Sequence, residues 1–186
     1  MIRAKRVLHN DEEARFYCDE IRKLPPNAVI VEVGVWMGAM TVKAAQAALE
    51  GSALAYWAVD HFLGSPDLKN PHGPAAIERE FRDAIQKAGL DILVSLMRKP
   101  SLEAAKEFTD GSLDMVFIDG DHTKPAVLAD IGAWWPKLRM GGVLLGHDFD
   151  PEHQGVVEAV LERFGGPDAL SKGKFPVWKV TKKPGR

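Results

Sequence analysis

A doubly wound α/β domain with a mostly parallel sheet is the fold class this sequence predicts, and three observations predict it. Short β-branched segments alternate with helix-length amphipathic ones along the chain, the pattern of successive βαβ units. The runs at 28–33 and 143–145 are continuously apolar rather than alternating, as strands buried on both faces are. The residues that follow the candidate strands are glycines, acids and histidines, and ligands of such sheets bind at the carboxyl ends of the strands.

The elements follow in order. Asn10 is a good cap before Asp11, Glu12 and Glu13, and Ala14, Tyr17, Ile21 and Leu24 then recur at helical spacing until Pro25-Pro26 stops the helix. Residues 28–33 form a central strand, and Gly34 to Gly38 turns into a helix at 39–49. Ala53 to Val59 is a second strand ending at Asp60, followed by a loop from His61 to Pro74 rich in Pro, Gly and Asn. A loop of this length suits a substrate cover. Ile77, Phe81, Ile85 and Ala88 stripe the next helix, Leu90 to Leu96 is a third strand, and Ser101 reads as the cap of a helix carrying Leu102, Ala105 and Phe108. Leu113 to Ile118 is the fourth strand. Thr123 caps a helix whose Val127, Ile131, Trp134 and Leu138 face inward and which Met140-Gly141-Gly142 ends. Val143 to Leu145 is the fifth strand, a helix runs through Val157, Val160 and Phe164, and Pro176 to Val180 is a late strand.

The 186 residues, 46% hydrophobic, suffice for one sizeable core. One domain over 1–186 is expected, with an N-terminal helix and lead-in at 1–26, a core at 27–181 and a basic tail at 182–186. The 24 basic and 26 acidic side chains nearly cancel, and neither forms a long block. Charge therefore gives no case for nucleic acid as a partner. No apolar run approaches the ~20 residues of a spanning helix, and the segment Met1 to Arg6 lacks the apolar stretch of a secretion signal. With one cysteine, Cys18, no internal disulfide can form, and a reducing cytoplasm is the expected location. The expected partner is a small molecule, and self-association is left open.

The strand ends carry the chemistry. Gly34 to Gly38 can be a tight turn alone, since Gly takes positive φ cheaply, or the floor of a cofactor site. A dinucleotide fingerprint needs its middle glycine near a pyrophosphate, yet Trp36 stands at that position. This argues against NAD and FAD, whereas a phosphate-free ligand such as S-adenosylmethionine tolerates Gly-x-x-x-Gly. Asp60 follows Gly38 by 22 positions, where an acid at the second strand end can accept hydrogen bonds from ribose hydroxyls; its other reading is a turn or cap aspartate. Asp119 and Asp148 end the fourth and fifth strands, neighbours ~4.8 Å apart, so their carboxylates can converge on a divalent cation. Alternatively they are solvated loop acids, or Asp119 touches the cofactor or a hydroxyl substrate. His147 adjoins Asp148 as a ligand or as a support for one, although Mg²⁺ prefers oxygen donors. His122 lies three residues beyond Asp119 and is either a general base for a substrate hydroxyl or an exposed loop histidine. Trp134, Trp135 and Trp178 read as core anchors.

Taken together, Glu32-Val33-Gly34-Val35-Trp36-Met37-Gly38, Val59 to Ser65, Leu113 to His122 and Gly141 to Asp148 resemble class I S-adenosylmethionine-dependent methyltransferases, over roughly 28–180. They look closest to the group with the macrocin-type sugar O-methyltransferases and the cephalosporin-hydroxylase-like proteins. The resemblance implies a Rossmann-like seven-stranded sheet with a reversed last strand carrying Trp178. It implies S-adenosylmethionine bound by Glu32, Gly34, Trp36, Gly38, Asp60, His61 and Asp119, with Ser101 beside the adenine. It further implies Asp119, His147 and Asp148 at the positions that ligate Mg²⁺ or another divalent cation, and His122, aided by Asp119, at the catalytic base position. Relatives with a well-formed Mg²⁺ site tend to carry an acid where this chain has His147. The expected reaction is methyl transfer to a hydroxyl of a sugar or phenolic acceptor; a hydroxylase on the same fold and a nucleotide-binding module without chemistry are the other two classes.

Overall fold

The structure is a computed structural model that describes residues 11–64, 73–174 and 176–185. Asn10, the expected helix cap, and residues 65–72 of the expected cover loop lie outside the described residues. The elements run α1 (Asp11–Ile21), β1 (Val29–Val33), α2 (Ala39–Glu50), β2 (Ala55–Val59), α3 (Pro74–Lys87), β3 (Val94–Met97), α4 (Ser101–Ala104), β4 (Leu113–Ile118), α5 (Lys124–Trp134), β5 (Leu138–Gly146), α6 (Gln154–Phe164), β6 (Ala169–Leu170) and β7 (Trp178–Thr181). The seven strands form one sheet in the order β3-β2-β1-β4-β5-β7-β6. Strands β3, β2, β1, β4 and β5 pair in parallel, and β7 runs antiparallel to both β5 and β6. The order reverses at β1, which makes the β1/β4 seam the switch point where such sheets bind ligands.

The continuous apolar strands have a physical reason in two cores. Ile30, Met115, Phe117 and Leu145 face α1, α2 and α3 through Tyr17, Ala44, Ala48, Ile77 and Phe81. Val31, Val33, Val116, Ile118 and Leu144 face α5 and α6 through Val127, Ile131, Trp134, Val156 and Val160. Successive strand residues thus serve opposite cores, and neither face is left to water.

Several boundaries differ from expectation. Leu90 and Leu93 belong to the turn that leads into β3, where the Leu93 N–H donates to the Leu90 carbonyl, so that strand starts at Val94. Helix α5 stops at Trp134 and a single 3₁₀ turn through Pro136 follows, because proline has no N–H to continue the ladder. Met140, Gly141 and Gly142, expected to end the helix, lie inside β5 next to a register shift against Leu113 and Met115. The expected helix after Ser101 is one α-turn followed by a 3₁₀ turn at Ala105–Glu107. The short β6 was not legible in the residue pattern; it exists because it pairs with β7.

Candidate active site

The strand ends align into one row. The Gly34 N–H donates to the Val59 carbonyl, that of Asp119 to Val33, that of His147 to Ile118 and that of Asp60 to Met97. Each residue following a strand is therefore tied to the last residue of its neighbour, which places Asp60, Gly34, Asp119 and His147 side by side along the carboxyl edge. At the seam the chains touch: a Cβ on Gly34 would overlap the Asp119 carbonyl, and its φ of 85° is one that side chains disfavour.

The β1–β2 part of the row is built from backbone. One Asp60 carboxylate oxygen accepts the N–H groups of Val35 and Trp36, each at 3.0 Å, and the other accepts that of Phe62 at 2.6 Å. Three of its roughly four acceptor sites thus hold the two loops together. Gly38 precedes α2 in the left-handed conformation, and Trp36 and Phe62 also have positive φ, 48° and 61°. His61 Nδ1 accepts the Leu63 N–H at 3.0 Å, closing a turn. Beneath the loop Glu32 is buried, and Tyr56 donates its hydroxyl hydrogen to it at 2.7 Å, with the Tyr17 hydroxyl 3.0 Å from that of Tyr56. Burial raises the Glu32 carboxyl to about 8, against the lowering effect of the Tyr56 hydrogen bond.

The β4–β5 part is built from side chains. Asp148, buried and with φ 63°, has Oδ2 2.9 Å from His122 Nε2 and Oδ1 2.9 Å from His147 Nδ1. Burial opposes its ionisation, but the two imidazoles outweigh burial and hold the carboxyl well below the ordinary range. His147 Nδ1 also lies 3.7 Å from Asp119, and its Nε2 is 3.6 Å from Glu13 of α1. Burial works against a charge on His147, yet Asp119, Asp148 and Glu13 together lift it to about 10. Ligand atoms of Asp119, His147 and Asp148 all lie within 4.8 Å of one another. Trp178, opposite Gly146 in the sheet, closes this end from below, and among the described residues its buried indole N–H has no partner. It lines a small cavity with Ile118, Asp119, His122, Val127 and Val156.

Residues 31–149 match the family described as methyltransferase domain, more than half of the chain. The chain belongs to this methyltransferase family. Solved structures of similar fold include a cofactor-bound protein, Rv0187, from MTB (TM-score 0.71, 17% identity, covering 96% of this chain and 83% of that one). A SAM-dependent O-methyltransferase from Thermotoga maritima matches with TM-score 0.68 and 16% identity over 96% and 67% of the two chains. A precorrin-6y C5,15-methyltransferase from Geobacter metallireducens matches with TM-score 0.69 and 17% identity over 97% and 92%. At these identities the likeness is one of fold. The uncharacterized protein y4gI of Sinorhizobium fredii is 38% identical over 60 residues, 32% of this chain, and the match spans only 7% of that protein.

The segment that matches the methyltransferase family contains Glu32, Gly34, Trp36, Gly38, Asp60, His61, Ser101, Asp119, His122, His147 and Asp148. The structure brings the β4–β5 residues into one cluster, while Asp60 serves the backbone first. Ser101 is not a helix cap: Pro100 holds that position, and the Ser101 hydroxyl donates to Asp130 at 2.5 Å and accepts from the Trp134 indole at 2.8 Å. Trp134 and Trp135 are buried core residues. Sequence reasoning missed Glu13 and His153. Glu13 sits one helical turn before Tyr17 on the buried face of α1, so a charged residue on an apolar stripe was its signal. His153 lies 3.5 Å from Asp148 and 3.1 Å from Asp150, and a third histidine five residues beyond Asp148 was its signal. Among the described residues no helix is long and apolar enough to cross a membrane.

Proposed function

We propose that this methyltransferase moves the sulfonium methyl group of S-adenosylmethionine to a hydroxyl of a small acceptor, a sugar or a phenol, as a single domain in the reducing cytoplasm. The observation that carries this reading is the His122–Asp148 pair at 2.9 Å beside Asp119 at the switch-point edge. A histidine oriented by a buried carboxylate is a general base. With Asp148 accepting from Nε2–H, the lone pair is on Nδ1, which takes the proton of the acceptor hydroxyl. Its oxygen then bonds the methyl carbon as the carbon–sulfur bond breaks, leaving S-adenosylhomocysteine.

The chain's main contribution is placement, since holding two reactants in attack geometry can supply ~7 kcal/mol or more of the barrier. Glu32, Gly34, Trp36, Gly38, Asp60, His61, Ser101 and Asp119 would surround the methyl donor. Asp60 has one acceptor site left for a ribose hydroxyl after its three backbone bonds. The Asp119, His147 and Asp148 donors fit a divalent ion once His147 gives up its proton. Bound there, a divalent ion supplies Lewis acidity toward the acceptor oxygen. The sugar-methylating group is the subclass we assign, on the resemblance of its strand-end motifs.

The test is transfer of an isotopically labelled methyl group from S-adenosylmethionine to a panel of sugars and phenols, with and without chelator. Label on a hydroxyl oxygen supports the reading. Label on carbon or nitrogen only, or oxygen consumption without transfer, overturns it.

A further inference from the structure

Asp148 faces two clusters. One holds His147 and Asp119; the other holds His122 and His153, and one ligand atom from each of His122, Asp148 and His153 lies within 4.8 Å of the other two. We propose that His122, Asp148 and His153 form a second metal site, selective for a divalent transition-metal ion of the zinc type.

The three side chains leave three separate segments: the β4–α5 loop, the second residue past β5, and the position preceding α6. His122 Nε2 and His153 Nδ1 lie 2.9 and 3.5 Å from the two Asp148 oxygens, and the imidazole centroids are 4.7 Å apart. Zinc bonds of ~2.0–2.2 Å in tetrahedral array put donor atoms roughly 3.3–3.6 Å from one another, so small side-chain rotations complete the set. Two imidazoles and one carboxylate suit zinc, whereas Mg²⁺ takes oxygen donors.

Two further features hold the site's parts in place. Asp150 is buried, accepts the N–H groups of Glu152 and His153, and stands 3.1 Å from His153 Nδ1. These backbone bonds fix the position of the residue that carries the His153 ring beside Asp148. Gly155, in the first turn of α6, is packed so that a Cβ there would overlap the His122 carbonyl. The helix carrying His153 is thereby pressed onto the loop carrying His122, which sets the separation of the two rings.

If His122 is the base proposed above, zinc has a consequence that rests on that reading. Zinc on Nε2 leaves the ring's proton on Nδ1, the atom that must accept one, so zinc should inhibit where Mg²⁺ does not.

Calorimetric titration of Zn²⁺ into chelator-treated protein, with Mg²⁺ in excess, tests the site without requiring turnover. One tight Zn²⁺ per chain is expected, weakened by His153→Ala beyond the ~10- to 100-fold that loss of a supporting residue costs and little changed by Asp119→Asn. Co²⁺ as a probe should show visible bands that His153→Ala removes. Stabilisation of the variant by S-adenosylhomocysteine verifies its fold, and His153→Gln replaces it if that control fails. Unchanged Zn²⁺ affinity in the His153 variant, or loss caused by Asp119→Asn instead, overturns the proposal. Tight, His153-dependent zinc with no methyl transfer to any hydroxyl would leave this site standing and remove the reaction assigned above.

Discussion

The two halves of the strand-end row solve the same problem in different materials. At β1 and β2 the working surface is backbone: three N–H groups converge on Asp60, two non-glycine residues adopt positive φ, and Gly34 is pressed against Asp119. At β4 and β5 it is side chains: three histidines arrayed around Asp148, with Asp119 and, from α1, Glu13 beside His147. Backbone geometry recognises shape and tolerates few substitutions. A cluster of ionisable groups adjusts charge, and a single exchange at His147 alters the charge around Asp148 and Asp119.

Breaking the seam between the halves should have the largest effect. Gly34→Ala places a methyl in the Asp119 carbonyl at a φ of 85° and should cost ~3–5 kcal/mol, read as a lower urea midpoint. A wild-type midpoint would mean the seam is not packed this way. Next, His122→Ala should lower kcat ~10²- to 10⁴-fold and leave S-adenosylhomocysteine affinity unchanged by calorimetry. Parallel loss of both would deny the separation of the halves.

The pH dependence of stability isolates Glu32. Its folded-state carboxyl titrates at about 8 against an ordinary 4.5, so between these values the folded protein binds more protons than the unfolded chain. Stability from this group is then full below about 4.5 and declines as pH rises through about 8. Glu32→Gln should be flatter with pH than wild type, the curves diverging by on the order of 2–4 kcal/mol toward pH 9; parallel curves would refute the assignment. The smallest effect is Asp60→Ala, which strands three backbone donors and should weaken S-adenosylhomocysteine binding by ~1–3 kcal/mol, with kcat at saturation changed less than by His122→Ala. A binding constant equal to wild type would show that the loop keeps its shape unaided.

The backbone half was legible because its signals are local. Gly34, Gly38 and Asp60 sit at spacings that a strand, turn and helix impose, and the apolar runs of β1 and β4 follow from burial on both faces. The side-chain half was legible only in part. Asp119 and Asp148 follow from adjacent strands, whereas Glu13 arrives from a helix packed across the sheet and His153 from the position just before α6, contacts that strand-end spacing does not encode. Ser101 misled for a related reason: a serine opening a helix reads as a cap, but a buried Asp130 and an indole N–H from α5 compete for its hydroxyl. The end of α5 was misplaced because Gly141-Gly142 outweighed Pro136 as a stop signal, and the glycines instead lie in β5.

The place of β7 bears on how the chain matures. It inserts between β5 and β6, and its Trp178 indole occupies the space a side chain at Gly146 would need. A chain made from its amino terminus can pair β1 to β5 while that outer edge of β5 is still bare, an edge open to pairing with other chains. Only when residues 178–181 arrive is the edge covered and the floor beneath Asp119 and His122 laid. Covering of that edge and completion of the floor beside Asp119 and His122 therefore coincide, both supplied by the strand that carries Trp178.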